Sequence, residues 1–181
     1  ETLLDAGFTA QQMTVIGDGD SLAPWLKRQL HFISISEQDD NDLTKATRYV
    51  CTQHGQAQPQ LTANRRLRIA YLGATGKRED HTLGNIALMM HYYDHFNVQP
   101  FMLTDDGVFI AACGDCRFDV IPGQQVSLFN FGCQQLESQG LRWPIYPFDA
   151  LWQGTLNEAV QPIIQIKADN AYLVYITWTF Y

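Results

Sequence analysis

Two aspartates separated by one residue are the most chemically suggestive feature of this sequence. Asp18 and Asp20 lie in the segment Gly17-Asp-Gly-Asp-Ser21, directly after the apolar run 13–17. Such a run followed by glycines predicts a short buried strand that ends in a flexible loop. Carboxylate oxygens are the ligands that Mg²⁺ prefers, and Mg²⁺ commonly shares its coordination shell with substrate phosphates. The pattern therefore predicts a magnesium site at Asp18 and Asp20, and an acidic surface turn is the alternative interpretation.

A second acidic group occupies positions 37–42, after an Ile-containing segment at 31–36 that predicts another strand. If the two strands are neighbours, Asp42 joins Asp18 and Asp20 near one metal ion, because ligands gather at the carboxyl ends of parallel strands. The apolar spacing over 42–54 predicts a helix that begins here. An acidic residue also favours a helix start by capping. Helix capping and metal binding are both compatible with the sequence.

A glycine-containing loop follows a third predicted strand at 68–72. Residues 73–82 read Gly-Ala-Thr-Gly-Lys-Arg-Glu-Asp-His-Thr, and a helix is predicted from residue 79 to about residue 95. Backbone N–H groups at a helix N-terminus bind phosphate, and Lys77 and Arg78 add charge for a polyphosphate. The glycine spacing matches neither the P-loop nor the dinucleotide-binding loop. Phosphate binding and a plain strand-to-helix turn are both open on spacing alone.

These loops require strands and helices that hold them in place. Strands alternating with helices in the first part of the chain predict a doubly wound parallel sheet. After about residue 100, short β-prone segments separated by Gly and Pro turns predict an antiparallel β-sandwich. We therefore expect two domains, residues 1–103 and residues 104–181.

Composition and charge limit the classes of partner. The 181 residues carry a net charge of −7, which disfavours nucleic acid and an anionic membrane surface as main partners because both need clustered positive charge. No apolar run approaches the roughly 18 residues that a transmembrane helix needs. Residues 101–181 hold three basic and eight acidic side chains. So sparse a charge indicates either a surface covered by another copy of the chain or a solvated polar face.

The four cysteines favour a reducing compartment. Cys113-Gly-Asp-Cys116 has the spacing of redox and zinc sites, but no second ligand pair matches it. Its flanking segments resemble strands, so we predict a hairpin turn at Gly114-Asp115, with a redox or metal site as the alternative. Reduced thiols and the lack of a signal-type segment predict a cytoplasmic location.

Five segments, taken in order along the chain, resemble those of the thiamine pyrophosphokinase family. The family carries G-D-x-D-S, then T-D-x-x-K-A, then G-x-x-G-[GK]-R-x-D-H-x-x-x-N, then G-L-x-[WY]-P, and finally a late S-N or T-x-N element. The corresponding residues here are 17–21, 41–46, 73–85, 140–144 and 154–158. The most specific matches are Gly76, Arg78, Asp80, His81 and Asn85.

The resemblance implies Mg²⁺-dependent transfer of pyrophosphate from ATP to the thiamine hydroxyl, giving thiamine diphosphate and AMP. It implies a homodimer with active sites between subunits, in which Asp18, Asp20 and Asp42 hold Mg²⁺. By the same resemblance, the ATP contacts are Thr75, Gly76, Lys77, Arg78, Asp80, His81 and Asn85. The thiamine contacts are Thr155, Asn157, Tyr175 and Trp178.

Three departures from the family pattern accompany these expectations. The chain starts where the family's first acidic segment would end, which implies that the first strand of the parallel sheet is missing. Asn41 stands where the family usually has Thr, and Leu156 stands where it usually has Ser. The alternatives to the kinase are a metal-dependent phosphohydrolase that uses the Asp-x-Asp segment and a non-catalytic dimer that binds thiamine or nucleotide.

Overall fold

The computed structural model describes residues 2–57 and 66–180. Its internal contacts divide the chain into two compact units, Glu1–Gln60 and Leu61–Tyr181. None of the helices within the described ranges combines the length and the hydrophobicity that a membrane span requires.

The first unit is built around a two-stranded parallel sheet. Its elements are α1 (Thr2–Asp5), a 3₁₀ turn (Ala10–Gln12), β1 (Thr14–Gly17), α2 (Pro24–Gln29), β2 (His31–Ser34) and α3 (Asp42–Ala57). Strands β1 and β2 pair in parallel, with Thr14 opposite His31 and Gly17 opposite Ser34. The strands predicted at 13–17 and 31–36 and the helix predicted from residue 42 are confirmed. Helix α2 was not predicted, although Pro24 stands in the first turn of the helix, where proline is favoured.

Helix α3 buries polar side chains. Thr44, Lys45 and Thr47 are almost fully buried, whereas the apolar side chain of Val50 is 40% exposed. The Thr47 hydroxyl donates to the Leu43 carbonyl oxygen across 2.8 Å, which satisfies the hydroxyl inside the helix. Apolar spacing therefore predicted the helix but not its buried side chains, because internal hydrogen bonds and an ion pair make a polar face compatible with burial.

The second unit contains one long helix and nine strands among its described residues. These elements are β3 (Leu67–Leu72), α4 (Glu79–His95), β4 (Val98–Leu103), β5 (Gly107–Cys113), β6 (Cys116–Asp119), β7 (Gln124–Asn130), β8 (Leu136–Gln139), a 3₁₀ turn (Leu151–Gly154), β9 (Asn157–Glu158), β10 (Ile163–Ala168) and β11 (Ala171–Phe180). The β3 strand, helix α4 and the β runs predicted in this part are confirmed. Strands β8, β9 and β10 were not predicted.

Two sheets organise the strands of the second unit. A six-stranded mixed sheet has the order β3-β4-β5-β11-β7-β9, and a three-stranded antiparallel sheet has the order β6-β10-β8. One hydrophobic cluster contains Leu128 and Val174 from the larger sheet and Leu136, Ile164 and Ile166 from the smaller sheet. The two sheets therefore share a core.

The mixed character of the larger sheet differs from the predicted single parallel sheet. Strand β3 pairs in parallel with β4, but β4 pairs antiparallel with β5. Only residues 104–106 connect β4 to β5, and so short a link permits an antiparallel turn but not a parallel crossover. The α/β class of the chain is confirmed, and the domain boundary at 103/104 stays a prediction.

The turn at Gly114-Asp115 also differs from the predicted hairpin. The structure has a turn there, but β5 belongs to the six-stranded sheet and β6 to the three-stranded sheet. The turn therefore carries the chain from one sheet to the other, because each flanking strand finds its hydrogen-bonding partner elsewhere in the sequence.

Candidate functional site

An acidic cavity lies at the carboxyl end of β1. Its volume is about 190 Å³, and its lining includes Asp18 and Asp42. Gly17, the last residue of β1, has a φ of 149°. A Cβ atom at this position would lie 2.9 Å from both carboxylate oxygens of Asp42. Glycine is thus required here, because any side chain would push the Asp42 carboxylate away from the end of the strand.

The structure brings together two of the three predicted magnesium ligands. Asp20 is not among the residues that line the cavity; instead its backbone N–H donates to Asp18 Oδ1 across 3.0 Å. That hydrogen bond is the largest cause of the lowered pKa of Asp18, with smaller contributions from Gln38, Lys45 and Lys27. Within residues 2–57 and 66–180, no three His, Cys, Asp or Glu side chains group as metal ligands.

Lys45 is the site residue that sequence reasoning missed. Its side chain is only 2% exposed, and its Nζ lies 3.3 Å from Asp42 Oδ1. Its positive charge also helps to lower the pKa of Asp18, so it acts electrostatically on both carboxylates. The available signal was the spacing of Asp42 and Lys45, which places both side chains on one helix face.

A second cavity, of about 270 Å³, is formed by the glycine loop and the start of α4. Gly73 and Gly76 adopt φ values of 66° and 85°, which other residues rarely adopt. The Asn85 Nδ2 donates to the Ala74 carbonyl oxygen across 2.8 Å, which ties the helix to the loop. The lining comprises Gly73, Ala74, Thr75, Lys77, Arg78, His81, Thr82 and Asn85. Five of the seven predicted ATP contacts therefore share this cavity, and Gly76 and Asp80 do not line it.

The Asp80 carboxylate forms an ion pair with the Arg78 guanidinium. The Arg78 Nη2 and Nε donate to the two carboxylate oxygens of Asp80 across 2.6 and 3.1 Å. Asp80 Oδ1 also accepts the His81 backbone N–H across 2.9 Å. The Arg78 interaction is the largest cause of the lowered pKa of Asp80. The two hydrogen bonds orient the Arg78 guanidinium. Because the Arg78 side chain remains 69% exposed, it is still accessible to a ligand.

A third cavity, of about 300 Å³, lies in the β-rich part of the second unit. Its lining is Trp143, Pro144, Tyr146, Phe148, Gln153, Gly154, Thr155, Leu156 and Asn157. Two predicted thiamine contacts, Thr155 and Asn157, are on this surface. Tyr175 and Trp178 are not: the Tyr175 hydroxyl lies 3.1 Å from Thr104 Oγ1, and the Trp178 indole donates to the Thr104 carbonyl oxygen across 3.0 Å. The four predicted thiamine contacts therefore divide into two pairs.

Asn157 holds the backbone of Trp143. Asn157 Oδ1 accepts the backbone N–H groups of Trp143 and Glu158, across 3.1 and 2.9 Å. Its Nδ2 donates to the Trp143 carbonyl oxygen across 2.8 Å. The side chain is buried, so these bonds replace the water that it loses. This geometry gives Asn157 a positioning role for the exposed Trp143 ring.

We expect Asn157→Ala to lower the free energy of unfolding by about 2–3 kcal/mol, because three part-buried backbone groups lose their partners. Urea unfolding measures this change. The matched control is Asn170→Ala, which removes an exposed asparagine that donates to the Gly132 carbonyl oxygen and should cost under about 1 kcal/mol. An Asn157→Ala protein as stable as the wild type would contradict the positioning role.

Leu156 has a strained backbone at the rim of the third cavity. Its φ is 64°, and its side chain is 69% exposed. A left-handed conformation costs a leucine about 1–2 kcal/mol, whereas asparagine tolerates it better. We expect Leu156→Asn to raise the free energy of unfolding by about 0.5–1 kcal/mol in urea titrations.

The control for this substitution is Leu151→Asn, at an exposed leucine of the preceding 3₁₀ turn without positive φ. It should bring no gain in stability. Equal effects of the two substitutions would show that side-chain polarity, and not backbone strain, determines the change.

Comparison with known families covers both parts of the chain. Residues 4–101 match the family model described as the thiamin pyrophosphokinase catalytic domain. Residues 107–175 match the model of the thiamin pyrophosphokinase substrate-binding domain. No curated protein sequence matches the chain significantly.

Solved structures share the fold at low sequence identity. The thiamine pyrophosphokinase of Bacillus subtilis is 22% identical with a TM-score of 0.73, over 99% of this chain and 84% of that one. The thiamin pyrophosphokinase of Candida albicans is 15% identical with a TM-score of 0.78, over 97% of this chain and 75% of that one. The yeast enzyme is 14% identical with a TM-score of 0.75, over 98% of this chain and 72% of that one.

Proposed function

The chain belongs to the thiamin pyrophosphokinase family and is an enzyme of that class, and from this premise we propose how its residues perform the reaction. The proposed reaction is transfer of the pyrophosphoryl group of ATP to the hydroxyl of thiamine, with release of AMP. The observation that carries the residue assignment is the convergence of Asp18 and Asp42 on one cavity beside the buried Lys45.

The acidic cavity fits a divalent cation of the magnesium type. Asp18 and Asp42 offer carboxylate oxygens, which are the ligands that Mg²⁺ prefers. When bound, Mg²⁺ neutralises charge on phosphate oxygens. Asp18 and Asp42 would hold the ion. Asp20 would position Asp18 through the hydrogen bond from its backbone N–H.

Lys45 stabilises the arrangement of the two aspartates. Two carboxylates at one cavity repel each other, and a buried ammonium 3.3 Å from Asp42 offsets part of that repulsion. Because Lys45 is bonded to Asp42 on the same helix, it also holds the Asp42 carboxylate against Gly17. The proposed role of Lys45 is therefore to orient the aspartates.

The glycine loop is the proposed site of the ATP phosphates. The N-terminus of α4 offers backbone N–H groups with partial positive charge, and Lys77 and Arg78 add two full charges to the same cavity. Arg78, oriented by Asp80, presents a planar fork that suits phosphate oxygens. As charge develops during transfer, these cations stabilise it.

The third cavity is the proposed binding surface for thiamine. Trp143 offers an exposed aromatic face, and Thr155 lies at the same cavity. A flat cationic ring is attracted to the face of a tryptophan. Tyr175 and Trp178 remain proposed thiamine contacts, at the separate surface beside Thr104.

A homodimer and an antiparallel sandwich are part of the proposal. Large exposed apolar side chains cluster in one stretch of the sequence: Trp143, Tyr146, Leu151, Trp152 and Leu156. So many exposed apolar side chains within 14 residues of sequence support a contact with another protein. The core shared by the two sheets supports a sandwich. The four free cysteines support a cytoplasmic location. Size-exclusion chromatography with light scattering measures the mass of the protein in solution and so tests the proposed dimer.

The test of function uses purified protein with ATP, Mg²⁺ and thiamine. The expected products are AMP and thiamine diphosphate in equal amounts, and chromatography measures both. ADP as the product would contradict pyrophosphoryl transfer. Phosphate release without thiamine would instead support the phosphohydrolase, and thermal stabilisation by thiamine without turnover would support the non-catalytic dimer.

A further inference from the structure

Four carboxylates lie close together in sequence between β2 and the start of α3, and one of them lines the acidic cavity. These residues are Glu37, Asp39, Asp40 and Asp42. Asp42 lines the cavity together with Asp18, whereas the other three are not among the lining residues. Glu37 and Asp40 have a different partner, which lies on α3.

That partner is Arg48, which binds both carboxylates. Its Nη1 lies 2.7 Å from Asp40 Oδ2, and its Nη2 donates to Glu37 Oε1. The Glu37 and Asp40 side chains are only 29% and 32% exposed, so solvent screens these ion pairs incompletely. Glu37 Oε2 also accepts the backbone N–H groups of Asp39 and Asp40, across 2.9 and 3.2 Å. One guanidinium therefore belongs to a network of charge-assisted hydrogen bonds, which holds its geometry better than an isolated surface pair.

The segment 35–41, which contains both partners of the guanidinium, is anchored at each end. At its start, the Ile35 backbone N–H donates to the Gly17 carbonyl oxygen across 2.8 Å. At its end, Asn41 caps α3 by accepting a backbone N–H of the first turn across 2.9 Å. The next residue, Asp42, has its carboxylate packed against Gly17. The position of the Asp42 carboxylate thus depends on the path of this segment.

We propose that Arg48 is a positioning residue of the acidic cavity, although it is not among the residues that line it. By pairing with both carboxylates of the 35–41 segment, Arg48 fixes that segment and, through it, the Asp42 carboxylate. This role rests on the proposed function, in which Asp18 and Asp42 hold the metal ion.

The direction of the effect on metal binding separates positioning from a simple effect of charge. The Arg48 guanidinium repels a cation, so its charge alone weakens metal binding at a nearby acidic cavity, and removal of that charge tightens the binding. If the guanidinium fixes Asp42, its removal weakens the binding instead, because a mobile ligand loses more conformational entropy when the metal binds. The two roles therefore predict changes in opposite directions.

The first test measures the binding of Mn²⁺, which shares the oxygen-ligand preference of Mg²⁺, by electron paramagnetic resonance. We expect Arg48→Met to weaken Mn²⁺ binding about tenfold, as the loss of a group that orients a metal ligand commonly does. Arg48→Lys keeps the charge but not the planar fork, and it should weaken the binding about threefold. The control is Arg28→Met, which removes an exposed arginine of α2 and should bind Mn²⁺ at least as tightly as the wild type. Thermal unfolding verifies that each variant is folded, and Arg48→Lys carries the test if Arg48→Met is not.

The second test is a double-mutant cycle with Asp40→Ala, which removes one partner of Arg48. In the wild-type background this change should weaken Mn²⁺ binding about threefold, and in the Arg48→Met background it should have almost no further effect. The loss of a negative charge by itself would weaken binding equally in both backgrounds, because that effect does not depend on Arg48. Equal effects in the two backgrounds would therefore contradict the positioning role.

Asp18→Asn in the same titration distinguishes failure of the positioning role from failure of the proposed metal site. If Asp18→Asn weakens Mn²⁺ binding while both Arg48 variants bind like the wild type or more tightly, the positioning role is refuted and the metal site stands. If Asp18→Asn binds Mn²⁺ like the wild type, the acidic cavity is not the metal site, and the positioning role is refuted with it.

Discussion

Asp18→Asn is expected to lower kcat by about 10³-fold while the protein stays folded. The substitution removes the charge that we propose binds the metal, and it keeps an oxygen that can accept the Asp20 backbone N–H. Far-UV circular dichroism and thermal unfolding should match the wild type. The rate of AMP formation, measured across a series of Mg²⁺ concentrations, gives the effect, and the Mg²⁺ requirement should rise.

Two control substitutions test whether the loss of activity is specific to Asp18. Asp20→Asn removes the same charge two residues away, outside the cavity lining, and should lower kcat only about tenfold. Asp5→Asn removes a charge from α1 and should leave kcat unchanged. Equal losses for Asp18→Asn and Asp20→Asn would show that Asp20 is a ligand of equal rank. A wild-type rate for Asp18→Asn would refute the assignment of the acidic cavity.

Arg78→Ala is the second large effect, with an expected loss of about 10²- to 10³-fold in kcat/KM for ATP. The guanidinium is the oriented cation of the glycine loop, and it donates two hydrogen bonds to the Asp80 carboxylate. Arg78→Lys should recover only a small part of the loss, because an ammonium cannot form the same two-bond fork. Steady-state kinetics at varied ATP and saturating thiamine measure the change.

Asp80→Asn separates positioning from charge at this site. It weakens the ion pair but keeps an oxygen for Arg78, so the expected loss is about tenfold. Arg117→Ala removes an exposed arginine of β6 and serves as the control without effect. A loss for Asp80→Asn as large as that for Arg78→Ala would assign Asp80 a direct role with the ligand.

Local sequence patterns were sufficient to predict most of the helices, strands and loops around the site. Apolar segments that end in glycine predicted β1 and β3, and helical spacing predicted α3 and α4, because both signals depend on neighbouring residues alone. The glycine loop was also predictable, since Gly73 and Gly76 mark backbone conformations that glycine favours.

Strand pairing was less predictable. Strand β10 pairs with β6 and with β8, segments about 25 to 50 residues earlier in the sequence. No local signal specifies such partners, and short strands such as β9, of two residues, carry too few positions for a period to appear.

The sequence by itself determined the family, the order of the motifs and the residue types that can bind metal and phosphate, because these depend on composition and spacing. Only the tertiary structure decided which of these residues meet. It placed Asp42 and Lys45 with Asp18 and left Asp20 outside, and it separated Tyr175 and Trp178 from Thr155. The reason is that burial and hydrogen-bonding partners are set by residues distant in the chain, and a polar side chain such as Lys45 is stable inside only where those partners exist.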